Sequence, residues 1–204
     1  MGYQSENDPL SRLSAAILSG DKESAVSATS EALQRYSIEE ILNKGVLAAW
    51  ERFMSFYEKD PAGTFKTWDA AYFTTRRILG LIESAVSMRS PLFSALVATV
   101  RGEGHTLMRD IVASYLRSKN IKVYCPKRGI TIDDIKEELS DPSLRFVVLS
   151  CIDSDTEEAL KSIISSVRRV RPDIKIIAGG PLAGKIGADA TASSISGVLD
   201  AMMR

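Results

Sequence analysis

The sequence predicts an α/β fold in two parts: an N-terminal four-helix bundle over residues 1–90, then a parallel-sheet, Rossmann/flavodoxin-like domain over residues 91–204. Three observations predict it. Apolar residues recur at helical spacing up to Ser90-Pro91, short β-branched runs alternate with amphipathic stretches after it, and glycine-bearing turns follow the runs.

The helical part opens with Leu10, Leu13, Ile17 and Leu18 on one stripe, broken by Gly20-Asp21, where Asp21 is placed to cap the next helix. Ala25, Ala28, Thr29, Ala32 and Leu33 line that second helix. Ser37 followed by Glu40 reads as a capping box opening a third, which carries Ile41, Leu42, Val46, Leu47, Trp50 and Phe53 toward Phe56. Asp60-Pro61-Ala62-Gly63 reads as a loop, with a fourth helix expected from about Thr67 to Met88. Short connections between four helices predict an antiparallel bundle.

Beyond Pro91, Phe93 to Val100 reads as a buried strand and Arg101-Gly102-Glu103-Gly104-His105 as the turn after it. A helix through Met108, Ile111, Val112, Tyr115 and Leu116 follows. Ile121 to Cys125 is the second expected strand, Thr131 to Leu139 the second helix, and Phe146 to Ser150 the third strand. Asp155 to Val170 is the third helix, and Ile174 to Ala178 the fourth strand, ending in Gly179-Gly180-Pro181. A short strand near Ala188 to Ala190 and a helix from Ser193 to Met203 complete the pattern. Strict alternation implies right-handed crossovers and a parallel sheet. Ligands of such sheets bind outside the carboxyl ends of the strands, so the turns after Val100, Leu149 and Ala178 are where a site is expected.

Composition narrows the partners. Lys+Arg and Asp+Glu balance at 26 each, which argues against direct nucleic-acid binding or an anionic membrane surface. Cys125 and Cys151 make no CxxC, the start of the chain lacks a signal-peptide apolar run, and no stretch approaches membrane-spanning length; a reduced, cytoplasmic setting is expected.

His105 is the only histidine. A neutral imidazole ligates transition metals, and a carboxylate two residues earlier is placed to orient it. Read alone, such a loop histidine is usually a solvated or capping residue. With no second histidine and no CxxC, the chain does not provide a zinc site by itself. A metal already held in a macrocycle needs only one protein ligand.

The segment Val100-Arg101-Gly102-Glu103-Gly104-His105-Thr106-Leu107-Met108 resembles the Asp/Glu-x-His-x-x-Gly loop of cobalamin-binding domains. Ser150-Cys151-Ile152 is similar to that family's Ser-x-Leu, and Gly179-Gly180 to its glycine pair. The helical segment, with Ser19-Gly20-Asp21 and Gly45 to Phe56, resembles the helical cap of the same proteins. The resemblance covers about Leu10 to Met203. It implies a corrinoid cofactor (adenosyl-, methyl- or hydroxocobalamin) with His105 as the lower cobalt ligand in place of the cofactor's own base. It further implies Glu103 and Gly104 beside His105, and Met108, Ser150, Ile152, Gly179 and Gly180 around the displaced nucleotide tail. The cap is expected as a lid, presenting Phe56, Tyr57, Trp68 or Tyr72 to the cobalt; ordinary bundle core is the alternative for those four.

The chain departs from the pattern in three places. Met108 stands where the motif has glycine, which narrows the expected slot. Glu103 replaces the aspartate of methyl-carrying members and resembles cobalamin-dependent light and vitamin sensors, as does the following Ala113 to Ser118. Ala71-Tyr72 aligns where those sensors carry a Glu-His pair. The resemblance thus implies a sensor or light-responsive protein acting through a protein partner, with a corrinoid methyl carrier serving methyltransferases as the alternative. A degenerate member that binds cobalamin weakly or not at all, and a flavodoxin-like domain for another ligand, are the remaining readings.

Neither a phosphate-binding loop nor a basic binding site is read from two further clusters. Gly179 to Ile186 approaches a phosphate-binding P-loop, but Ile186 replaces the magnesium-binding hydroxyl and Pro181 removes an amide. Arg168, Arg169, Arg171 and Lys175 read as a solvated face near a helix C-terminus.

Overall fold

The computed structural model describes residues 8–87 and 89–204 and divides the chain into two compact units, Met1–Ser87 and Met88–Arg204. No helix among the described residues is long and apolar enough to cross a membrane.

The first unit is helical. α1 (Pro9–Ser19) starts at Asp8, whose carboxylate accepts from the Ser11 amide, and ends at Gly20 in the left-handed region. Asp21 caps α2 (Lys22–Ala32) by accepting from the amides of Glu23 and Ser24. Ser37 and Glu40 form the expected capping box on α3 (Ile38–Glu40), which runs on through a π-helical stretch (Ile41–Leu47) into α4 (Ala48–Lys59). A Cβ at Gly45, within the π-helical stretch, would lie 2.7 Å from Leu13 Cδ2, so glycine permits that close approach to α1. α5 spans Pro61–Ala85, six residues earlier at its start than the expected Thr67. Asp60-Pro61-Ala62-Gly63 is therefore a helix start and not a loop: the Asp60 side chain accepts from the Gly63 amide, and Pro61 occupies a first-turn position that needs no donor. Met88, the expected end of this helix, lies outside the described residues, as do residues 1–7. Leu10, Leu13, Ile17, Ile41, Leu42, Ile78 and Ile82 are buried between these helices.

The second unit is a five-stranded, wholly parallel sheet in the order β2-β1-β3-β4-β5: β1 Ser94–Ala98, β2 Lys122–Tyr124, β3 Leu144–Ser150, β4 Lys175–Gly179 and β5 Ala190–Ala192. Side chains alternate between its faces. Leu96, Ala98, Val147, Leu149, Ile176 and Ala178 join the core that includes Leu139 of α7 (Lys136–Ser140) and Leu160 of α8 (Glu157–Val170). Val97 and Val148, of opposite parity, share a cavity with residues of α6 (Leu107–Ser118) and α9 (Ile195–Met203).

Three expectations need adjustment. The fifth strand begins at Ala190 and not Ala188, because Asp189 is held beforehand: its carboxylate accepts from the Ile176 amide and from Arg168. The second helix of this unit is α-helical only over Lys136–Ser140; Asp134 accepts from the Thr131 amide and hydroxyl, making a turn that leads into a 3-10 stretch at Asp133–Ile135. The basic cluster is not a merely solvated face. Arg168 and Arg169 are exposed, but Arg171 donates to the carbonyls of Leu139, Asp141 and Leu144, and Lys175 to that of Ala201 near the chain's last helix turn, so these two of the four cations tie segments of this unit together.

Candidate functional site

β1 ends in a turn that holds Glu103, Gly104 and His105, and α6 starts two residues after the histidine. Glu103 is buried while the His105 side chain is 55% exposed. One carboxylate oxygen, Oε1, accepts from the His105 amide and from His105 Nδ1, both at 2.8 Å. The other, Oε2, accepts from the amides of Ile152 at 3.0 Å and Asp153 at 2.8 Å. One side chain thus fastens the turn after β1 to the turn after β3.

Burial pushes the Glu103 carboxyl up, but the hydrogen bonds from Asp153, His105 and Ile152 outweigh it and hold the group below the usual carboxylate range. The ionised carboxylate has only acceptors, so the proton between it and the imidazole belongs to Nδ1. The Nε2 lone pair is then available to a metal, with the ring's orientation fixed from behind. No group of three or more His, Cys, Asp or Glu side chains among the described residues suits a bare metal ion. The donor set fits a metal that brings its own equatorial ligands.

A cavity of about 590 Å³ lies between the sheet and the helices α6 and α9. Met108, Ser150, Ile152, Gly179 and Gly180 all line it. Gly180 has φ +102°, and a Cβ there would collide with the Cys151 carbonyl oxygen, so glycine is required. Met108, 38% exposed, forms part of the wall and leaves the cavity open beside it. Glu103, Gly104 and His105 are not among the lining residues; their turn leads into α6, whose first turn supplies Met108. Gly179 to Ile186 is no phosphate-binding loop, since residues 181–187 form successive turns where that motif needs a helix.

Phe56, Tyr57, Trp68 and Tyr72 belong to the helical unit. Phe56 is 48% exposed and is not bundle core. Trp68 meets Trp50, Phe53 and Tyr57 edge-on at centroid distances of 5.3, 5.4 and 6.3 Å, and Tyr72 packs edge-on against Phe73. Those three rings are part-buried, between the two readings the sequence allowed.

The sequence reading missed two features. The amide contacts of Glu103 join residues 49 and 50 positions apart, which no local pattern signals. Arg109 also lines the cavity and is 1% exposed, although an Arg-Asp pair in a helix normally reads as solvated surface.

Residues 93–204 match the family described as B12 binding domain, and residues 10–60 match a second family of the same description. Dimethylamine corrinoid protein 2 of Methanosarcina acetivorans is 25% identical over 201 residues, covering 94% of this chain and 93% of that protein. Dimethylamine corrinoid protein 1 of Methanosarcina mazei is 24% identical over 201 residues with the same coverage of 94% and 93%. The monomethylamine corrinoid protein of Methanosarcina barkeri has the same fold, with a TM-score of 0.76 at 15% identity, over 98% of this chain and 99% of that one. With more than half of its length matched, the chain belongs to the B12-binding domain family.

Proposed function

We propose that this chain binds a corrinoid with His105 as the protein ligand to cobalt, and that it acts as a methyl carrier serving methyltransferase partners. The observation that carries the binding reading is the Glu103–His105 pair, with Nδ1 held at 2.8 Å by a buried carboxylate and Nε2 left to a metal. The carrier reading is supported by relatives named as dimethylamine corrinoid proteins along 94% of the chain. That support outweighs the sensor reading drawn from Glu103 and from Ala113 to Ser118. A methylamine-derived methyl group is the cargo this likeness favours.

When bound, a cobalt corrinoid supplies a metal that accepts a methyl group from one molecule and gives it to another. The protein's own contribution is positional and electrostatic. Glu103 keeps the proton on Nδ1 and raises the donor strength of Nε2. The amides of Ile152 and Asp153 keep that carboxylate ionised. The cavity lined by Ser150, Ile152, Gly179 and Gly180 takes the displaced nucleotide tail, and Gly180 lets it approach the backbone.

The test is to load the protein with hydroxocobalamin, remove free cofactor and record the visible spectrum of wild type and His105→Ala. Retained colour whose spectrum is altered in the variant is expected; loss of all colour from wild type refutes binding. The reduced holoprotein is then given radiolabelled dimethylamine and a dimethylamine methyltransferase. Label retained with the protein supports the carrier. No label, together with a change of oligomeric state on illumination of the adenosylcobalamin form, returns the reading to a sensor.

A further inference from the structure

One residue that lines the cavity carries a polar group that the described residues leave unsatisfied. Arg109, on the first turn of α6, is 1% exposed. Its Nε and Nη2 donate to Asp110 Oδ1 at 2.9 and 2.7 Å. Its Nη1 is buried with no hydrogen-bond partner among the described residues. An orphaned donor on a buried guanidinium costs far more than a neutral one, and such groups persist where a ligand completes them. Arg109 is one of the residues that line the cavity, which makes a ligand held there the nearest source of the missing acceptor.

The surroundings indicate its chemistry. Val97, Val112, Val148 and Val198 make the walls apolar, suited to a flat base. α9 begins on the same cavity: Ser194 and Ile195 line it, and Ser194 caps the nine-residue helix by accepting from the Gly197 amide. A helix N-terminus and a guanidinium nitrogen with free donors both favour an oxyanion over a neutral acceptor. The anionic group of a corrinoid's nucleotide tail is its phosphodiester.

We propose that Arg109 recognises the tail phosphate through Nη1, making this chain selective for corrinoids that carry a phosphorylated tail. The proposal rests on the corrinoid reading above and extends it to a residue to which the resemblance gives no role.

The experiment compares cobinamide, which lacks the tail, with cobinamide phosphate and complete cobalamin, using spectral titration of wild type, Arg109→Met and Arg109→Lys. A charge-assisted hydrogen bond predicts that wild type prefers cobinamide phosphate over cobinamide by about tenfold or more. That preference falls close to unity in Arg109→Met and is partly kept in Arg109→Lys. Cobinamide itself binds wild type and Arg109→Met alike, with the same histidine-dependent spectrum, which reports that the variant is folded. If Arg109→Met does not fold, the wild-type ratio and the lysine variant decide. A preference that survives in Arg109→Met overturns the proposal, as does a wild type that ignores the phosphate and discriminates only complete cobalamin, which would put the acceptor on the base. Cobinamide binding in any of these outcomes leaves the corrinoid reading standing; failure of every corrinoid to bind wild type removes both.

Discussion

Replacing Glu103 with glutamine keeps the shape of the side chain and removes its charge, which makes it a sharp probe of the His105 turn. The carboxylate accepts four hydrogen bonds, at 2.8, 2.8, 3.0 and 2.8 Å. Glutamine offers one oxygen and one donor group. With the oxygen toward the Ile152 and Asp153 amides, its NH2 faces two donors on His105. The imidazole escapes by moving its proton from Nδ1 to Nε2, but the His105 amide cannot, and it is orphaned. Losing charge assistance costs about 1 kcal/mol per bond and an orphaned buried donor about 1–3 kcal/mol, while relief of carboxylate desolvation offsets part. The net is roughly 3 kcal/mol of stability. Because His105 is the sole histidine, its imidazole nitrogens give unambiguous resonances in heavy-nitrogen-labelled protein. Wild type is expected as the Nδ1–H tautomer and Glu103→Gln as Nε2–H, with denaturant unfolding reporting the loss. An unchanged tautomer, or a loss below about 1 kcal/mol, refutes this reasoning.

Four other outcomes are expected. Glu103 has a lowered folded-state pKa, so its stabilisation is fully present above the ordinary value of 4.5 and fades as pH falls through the lower folded value; acid unfolding of wild type but not of Glu103→Gln should show this extra loss below that pH. Gly180→Ala meets both a positive φ and the Cys151 carbonyl and should cost about 2 kcal/mol or more, whereas Gly184→Ala, with nothing within 4 Å of its Cβ, should be nearly silent by the same unfolding assay. Cys151 is buried, and burial followed by the charge of Glu103 pushes its thiol up to about 12, so it should resist iodoacetamide in the native protein and react only on unfolding; fast native labelling at Cys151 contradicts its placement. In the helical unit, Trp50 Nε1 donates to the buried Thr75 hydroxyl at 2.9 Å, so Thr75→Val should cost about 1–3 kcal/mol by orphaning the indole, and no change in the denaturation midpoint contradicts that bond.

What the sequence made legible follows from which interactions are local. The run Val147-Val148-Leu149 and the alternation of helix with strand specify the sheet because burial on both faces demands continuous apolar residues. The Ser37–Glu40 box was readable because both partners lie within one turn. Asp60-Pro61-Ala62-Gly63 was misread because the residues that make turns also start helices; only the continuation of α5 separates the two. The site divides the same way. The two-residue spacing of Glu103 and His105 gives their contact directly, but the fastening of Glu103 to Ile152 and Asp153 depends on β1 and β3 being neighbours. Arg109 was invisible because its burial comes from α6 packing over the cavity, and its visible partner, Asp110, disguises it as an ordinary surface pair.

The proposed function requires that a nitrogen of His105 touch cobalt. Protein grown with heavy-nitrogen histidine and loaded with cobalamin in the paramagnetic Co(II) state would test it by electron paramagnetic resonance. Ligation by His105 turns the superhyperfine triplets of ordinary nitrogen into doublets; triplets that persist in the labelled protein mean that the cofactor keeps its own base, and the proposed ligand is wrong.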